Sequence, residues 1–389
     1  VVSSLTKPPS DPRNATMRVL ALNPFHGGSH RAFIEGWIQH SRHEFTLLSL
    51  PDRHWKWRMR QAAVHFAQQL SQVPYVDQRW DTLWVTDMLN LAEFRGLCRD
   101  DVRQLPSVMY CHENQLTYPT RGDEGDRERD LHFGVTNVIS TLAADEVWWN
   151  SRFHRDEFLT ALTVMSRQLP DRTLTLAADE IRKKSNIFPP GIEGFPPRWT
   201  ATHDSPPHIL WAARWEHDKQ PELLFAALER LDHEGIAFEI SVIGQSYREM
   251  PVCFHEARER FADRIRNWGY LDSRETYRDV LHSADIYVST AAHEFFGIAA
   301  VEAIAAGCYP LLPRRLSYPE LVNNQPDFLY AGDSASLSQR LTELITTREQ
   351  ERNFSEAAEP ARLAVERFLW KNLVPLMDDQ LEAFCKGTK

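Results

Sequence analysis

The stretch Ala284-Asp285-Ile286-Tyr287-Val288-Ser289-Thr290, followed after three intervening residues by Glu294-Phe295-Phe296-Gly297-Ile298-Ala299-Ala300-Val301-Glu302, decides the fold. The first run is short and apolar, as a buried strand is, and the second is a loop whose glycine opens onto helix-forming residues. Strand, loop and helix in that order make a parallel βαβ unit, and open α/β sheets bind ligands at the carboxyl edge of their strands. Glu294 then lies in the loop, able to accept hydrogen bonds from sugar hydroxyls. Gly297, flanked by Phe296 and Ile298, lets the backbone approach a diphosphate at the helix N-terminus. Glu302, about one and a half turns into the helix, is placed to reach ribose hydroxyls. On spacing alone the two carboxylates read equally well as a surface glutamate and an ordinary amphipathic-helix glutamate.

Working outward, the same alternation predicts strands at Ile209 to Ala213, Phe238 to Ile243 and Pro310 to Leu312, with helices at Lys219 to Leu231, Arg274 to His282 and Gly297 to Ala306. Upstream, strands are expected at Met17 to Leu22, Phe45 to Leu50, Thr82 to Thr86, Ser107 to Cys111 and Glu146 to Trp149. The turn Gly27-Gly28 precedes a helix capped by Ser29 and running to about His40, and further helices fill Trp57 to Leu70, Glu128 to Ala143 and Phe153 to Thr163. Between these halves, six prolines and two glycines fall between Phe188 and Pro207, a composition that neither helix nor strand tolerates. The expected organisation is a disordered leader at 1–16, a Rossmann-like domain at 17–188, a linker at 189–207, a second Rossmann-like domain at 208–367, and a terminal helix in 368–389.

Composition narrows the function classes. The chain has 389 residues with 42% hydrophobic and 25% charged, and no apolar run approaches the roughly 18 residues of a bilayer span. Five scattered cysteines without a C-x-x-C pair suggest neither a disulfide framework nor a zinc site, which fits a reducing cytoplasm. A net charge of -10 argues against gripping long nucleic acid by bulk electrostatics, while leaving room for a local basic patch. The dinucleotide fingerprint G-x-G-x-x-G is absent, which disfavours a dehydrogenase. His112-Glu113 and His293-Glu294 lack the second histidine of a zinc-protease motif, and no D-x-D is present to hold a cation on a diphosphate.

Two further clusters carry chemistry. Arg214-Trp215-Glu216-His217-Asp218-Lys219 follows a strand, and its two cations suit a leaving diphosphate; an exposed ion pair with Glu216 or Asp218 is the plain alternative. His54-Trp55-Lys56-Trp57-Arg58, with Arg60, interleaves aromatics and cations as a base-stacking, phosphate-touching surface does, and reads equally as a helix start packing two tryptophans inside.

The E-x7-E element with upstream Arg and Lys resembles the retaining glycosyltransferases of family four with the GT-B fold, two Rossmann-like doubly wound domains facing a central cleft. That resemblance implies that Arg214 and Lys219 bind the diphosphate, Glu294 the hexose and Glu302 the nucleotide ribose. It also places Gly27, Gly28 and Gly244 with the donor, and His112 near the reacting sugar. The blocks Asn23 to His30, His54 to Arg58, Tyr110 to Pro119, Arg214 to Lys219, Asn267 to Leu271, His293 to Gly297 and Gly307 to Pro310 resemble more closely the tRNA-queuosine mannosyltransferases, from Met17 to about Tyr330. This resemblance implies GDP-mannose as co-substrate without any metal or other cofactor, and the cyclopentenediol of queuosine in the anticodon of tRNA-Asp as acceptor. Transfer would retain anomeric configuration, without a membrane partner. Trp55, Lys56, Trp57, Arg58, Arg60, Asn114 and Gln115 are the candidate acceptor contacts, and the terminal helix would cross back to the first domain. A family-four enzyme acting on a lipid or small-molecule acceptor is the alternative.

Overall fold

The computed structural model describes residues 16–119, 124–169, 174–196, 206–246, 250–351 and 354–387. Residues 1–15 of the expected leader and 197–205 of the expected linker lie outside this set. The chain divides into two compact units, Val1–Gly191 with Trp370–Lys389, and Ile192–Leu369.

Unit 1 is a six-stranded parallel sheet of β1 (Arg18–His26), β2 (Glu44–Pro51), β3 (Thr82–Thr86), β4 (Ser107–Cys111), β5 (Glu146–Trp149) and β6 (Ser185–Ile187), in the order β2-β1-β3-β4-β5-β6. Its central strands β3, β4 and β5 are buried throughout, as strands covered on both faces must be. Along β1, Val19 and Ala21 join Phe33, Trp37, Trp84 and Trp370 on one face, while Leu20 and Leu22 join Phe66, Val85 and Phe158 on the other. Helix α1 (Gly28–His40) and the helix Trp370–Gly387 cover the first face, and α2 (Trp55–Leu70) contributes to the second. The carboxylate of Asp378, itself buried, ties the terminal helix down: it accepts from Trp37 Nε1 at 2.8 Å, Ser41 Oγ at 2.8 Å and the Arg42 amide at 3.0 Å.

Unit 2 holds β7 (His208–Ala212), β8 (Glu239–Ile243), β9 (Ile265–Gly269), β10 (Ile286–Val288), β11 (Tyr309–Pro313) and β12 (Leu329–Tyr330), all parallel, in the order β12-β11-β10-β7-β8-β9. The strand order reverses between β7 and β10. Such a switch point leaves a crevice at the carboxyl ends of the two strands, the place where doubly wound sheets bind ligands.

Three local expectations differ from the structure. Helix α1 begins at Gly28 rather than behind a Ser29 cap, with Gly27 as its cap and no side-chain capping bond. Lys219 belongs to a short 3-10 turn, His217–Lys219, and the following helix starts at Pro221. Gln220 at the junction takes a left-handed φ of 47°, and Pro221 occupies the first turn of the helix, where its missing N–H costs nothing. Strands β6, β9 and β12 were not expected; β9, Ile-Arg-Asn-Trp-Gly, is a partly exposed edge strand without the apolar run that marks a central one.

Candidate active site

The switch point of unit 2 brings together the two signals that the sequence keeps about 75 residues apart. The turn after β7 is pinned to the loop after β10, because the Asp218 carbonyl accepts the amides of Ala292 at 2.7 Å and His293 at 3.3 Å. Lys219, 6% exposed, points its ammonium at the His293 carbonyl (2.7 Å), Asp218 Oδ2 (3.2 Å) and Glu294 Oε2 (3.4 Å). Burial lowers the lysine pKa, but Glu294 and Asp218 outweigh it and the net shift is upward. For Glu294 burial raises the pKa, while Lys219 and the Phe296 amide outweigh that and leave it below the ordinary carboxylate value. Both groups are therefore charged at neutral pH. Arg214, by contrast, is partly exposed and sits 3.4 Å from Glu216 Oε2, so the plain ion pair coexists with its expected place at the mouth of β7.

Gly297 caps the helix Ile298–Ala305 with φ 94°, and a Cβ there would stand 3.0 Å from the Tyr318 ring. The side chain of Phe296 turns into the core against Phe368, leaving its backbone to form the loop, where Ser317 Oγ donates to its carbonyl at 2.8 Å. Ile298, half-buried, is the first helical residue. Gly244, just beyond β8, has φ 151°, and any side chain would collide with the Ala213 carbonyl, 1.8 Å from the added Cβ. Glu302, 5% exposed, accepts from Tyr277 OH at 2.9 Å and pairs with Arg274.

In unit 1, Gly27 and Gly28 form the turn from β1 into α1; a Cβ on Gly27 would lie 2.0 Å from Asp52 Oδ2, and Gly28 has φ 48°. His112 follows β4 and is held at both ends of its backbone. Its amide donates to Asp87 Oδ1 at 2.9 Å, and its carbonyl accepts from Asn150 Nδ2 at 2.8 Å. Its ring lies 3.9 Å, centre to centre, from that of His30. Burial pushes the pKa of His30 down to about 3 and that of His112 well below the ordinary histidine value, so both rings are neutral. Burial, then the neighbouring Glu113, pushes the carboxyl of Asp87 well up. Neutral His112 is suited to hydrogen-bonding a hydroxyl rather than to carrying positive charge.

The aromatic and basic block divides. Trp55 is half-buried, with its ring 5.2 Å from that of Phe133, and Lys56 and Arg60 lie over the Phe133 ring at 5.9 and 5.1 Å. Trp57 is 60% exposed, and Arg58 Nε donates to the Pro51 carbonyl at 3.1 Å. Asn114, 1% exposed, is engaged in the loop itself, accepting from the amides of Leu116 and Thr117 at 3.0 Å each. The Gln115 side chain donates to Glu113 Oε1 at 3.1 Å.

Sequence reasoning passed over His30, Asp87, Asn150, Tyr277 and Ser317. Asp87 had a signal, a carboxylate directly after a buried strand; Tyr277 and Ser317 sit on elements whose contacts only the fold supplies. Among the described residues, no three His, Cys, Asp or Glu side chains gather as metal ligands, and no helix is long and apolar enough to cross a membrane.

Comparison with known proteins identifies the fold and the family. Two solved structures share the fold across nearly the whole chain. HepE of Anabaena in complex with UDP has a TM-score of 0.65 at 14% identity, covering 94% of this chain and 100% of that one. Sucrose-phosphate synthase of Thermosynechococcus elongatus has a TM-score of 0.68 at 15% identity, covering 95% and 100%. The fold is thus GT-B. Residues 18–192 match the family described as tRNA-queuosine alpha-mannosyltransferase N-terminal, and residues 198–360 match glycosyl transferases group 1. The tRNA-queuosine alpha-mannosyltransferase of Drosophila melanogaster is 37% identical over 318 residues, covering 79% of this chain and 82% of that protein. With that identity over that length, the chain belongs to the tRNA-queuosine alpha-mannosyltransferase family.

Proposed function

We propose that this enzyme transfers mannose from GDP-mannose to the cyclopentenediol of queuosine in a tRNA anticodon, with retention at the anomeric carbon and without a metal ion. The observation that carries the donor half of this reading is the junction of Lys219 and Glu294 at the switch point of unit 2, beside the N-terminus of the helix Ile298–Ala305. Glu294 holds the mannose hydroxyls. Arg214, Lys219 and the helix N-terminus meet the charge that grows on the departing diphosphate, and Glu302 holds the ribose. No enzyme nucleophile is required if the acceptor hydroxyl attacks from the face the diphosphate leaves, passing its proton to a diphosphate oxygen.

For the acceptor half, the kinship with the Drosophila enzyme supports queuosine in tRNA. The face of α2 supports an RNA contact within an acidic chain: the helix carries Lys56, Arg58 and Arg60, no acid, and an exposed Trp57. Neutral His112 serves as a hydrogen-bonding group toward the reacting sugar. The test is incubation with GDP-mannose and queuosine-containing tRNA, followed by mass spectrometry of the nucleosides. A gain of one hexose on queuosine is expected. An unchanged queuosine, with the same donor hydrolysed or transferred to a lipid or small glycoside, would replace this reading with the alternative acceptor.

A further inference from the structure

Tyr277 and Arg274 stand one turn apart on the helix Arg274–Ser283, a spacing that puts both on one face. That face meets Glu302 of the helix Ile298–Ala305. The Tyr277 hydroxyl donates to Glu302 Oε2 at 2.9 Å, and Arg274 Nη2 donates to Oε1. Tyr277 is half-buried, and its pKa is pushed well up by burial and then by Glu302, which keeps it a donor. Arg274 is largely exposed, with its guanidinium 5.5 Å from the centre of the Tyr277 ring.

A carboxylate offers about four acceptor positions, two on each oxygen. Tyr277 fills one on Oε2 and Arg274 one on Oε1, so each oxygen keeps one. Two acceptors at carboxylate spacing, one per oxygen and fixed in direction, match two vicinal hydroxyls, the chemical feature that a ribose presents and a deoxyribose does not. An unheld glutamate would have to lose rotamer freedom on binding; one held at both oxygens is already ordered.

We propose that Tyr277 is a positioning residue for nucleotide recognition: by holding Glu302 Oε2 it aims the carboxylate at the ribose 2′,3′-diol, with Arg274 performing the same task on Oε1. This rests on the reading that Glu302 binds the donor ribose.

The experiment compares GDP with 2′,3′-dideoxy-GDP by calorimetry on wild type, Tyr277→Phe, Arg274→Gln and Glu302→Gln. Wild type should prefer GDP by roughly ten- to a hundred-fold, the worth of charge-assisted hydrogen bonds to the diol. Tyr277→Phe keeps the ring and its packing, and should weaken GDP by roughly ten-fold while barely changing dideoxy-GDP, so the preference collapses. Arg274→Gln, at an exposed position, should shift the preference the same way. If Tyr277→Phe keeps the wild-type preference, whether or not both nucleotides bind more weakly, the hydroxyl does not aim Glu302 and the inference is overturned. If wild type itself binds the two nucleotides equally, the ribose role of Glu302 has failed and takes the inference with it. That second failure shows in the wild-type column alone.

Discussion

Lys219 and Glu294, from the turns that follow β7 and β10, stand 3.4 Å apart and set each other's charge. Glu294 has a folded pKa below 4.5, so its contribution to stability is complete above that value and lost as pH falls through the folded one. Lys219 has a folded pKa above 10.5, so its contribution is complete below that value and lost as pH rises through the folded one. Across neutral pH the pair stays intact. Glu294→Gln should therefore lower kcat by roughly ten- to a hundred-fold with GDP still bound, whereas Glu302→Gln should weaken GDP itself by a similar factor. Calorimetry with GDP and a transfer assay on both variants read these effects. The reverse pattern, GDP lost in Glu294→Gln and kept in Glu302→Gln, would exchange the two roles.

The two tryptophans of α2 should behave differently. Trp57, 60% exposed, is placed to stack a base, and Trp57→Ala should weaken tRNA binding by about 1 to 3 kcal/mol with the melting temperature unchanged. Trp55→Ala should instead lower the melting temperature, because its ring packs on Phe133. Replacing Lys56 and Arg60 with Ala should flatten the salt dependence of tRNA binding by about one unit for each lost phosphate contact. Filter binding over a salt series reads this. Equal loss of GDP and tRNA affinity would assign the block to folding.

On the proposed roles of Arg214, Lys219 and the helix N-terminus at the leaving diphosphate, transfer should proceed at close to full rate in excess EDTA. Loss of activity in chelator that magnesium or manganese restores would refute the metal-free proposal.

His30 gives a pH signature. Its folded pKa of about 3 lies below the ordinary 6.5, so the unfolded chain takes up a proton that the folded one refuses, and stability falls as pH drops from about 6.5 toward 3. Denaturant titrations between pH 7 and 5 should show that fall, and His30→Phe should reduce it. An identical slope in the variant would mean that other groups carry the acid sensitivity.

Asp378→Ala should cost about 3 kcal/mol or more, since it strands the buried donors of Trp37 and Ser41 together with the half-buried Arg42 amide. Urea unfolding measures it, and a loss under about 1 kcal/mol would show that docking of the terminal helix does not depend on this carboxylate.

The legible part of the fold was the part in which apolar runs are longest. β3, β4 and β5 are buried on both faces and announce themselves with continuous hydrophobic segments, whereas β6, β9 and β12 are edge strands or very short and carry no such run. At the site, Glu294, Glu302, Arg214 and Lys219 could be singled out because each stands at the end of a strand or in the helix that follows. Their meeting could not, because it depends on strand order, with β10 beside β7 across the sequence of β8 and β9. Asn114 shows the opposite limit. Its motif looked like a surface for contact, yet its side chain is consumed by the turn it closes.

Unit 2 is one unbroken stretch, Ile192–Leu369, while unit 1 is interrupted by it and completed by residues from Trp370 onward. Entry and exit of the stretch run side by side, with Ile192 bridged to Leu369. On the ribosome, unit 2 has every strand it needs as soon as Leu369 emerges. The earlier-made half must wait for the helix that begins at Trp370, which joins Phe33 and Trp37 of α1 with Trp84 and Trp148 of the sheet in one aromatic cluster. The order of completion is thus the reverse of the order of synthesis, and the aromatic face of unit 1 is the surface a nascent chain most needs shielded.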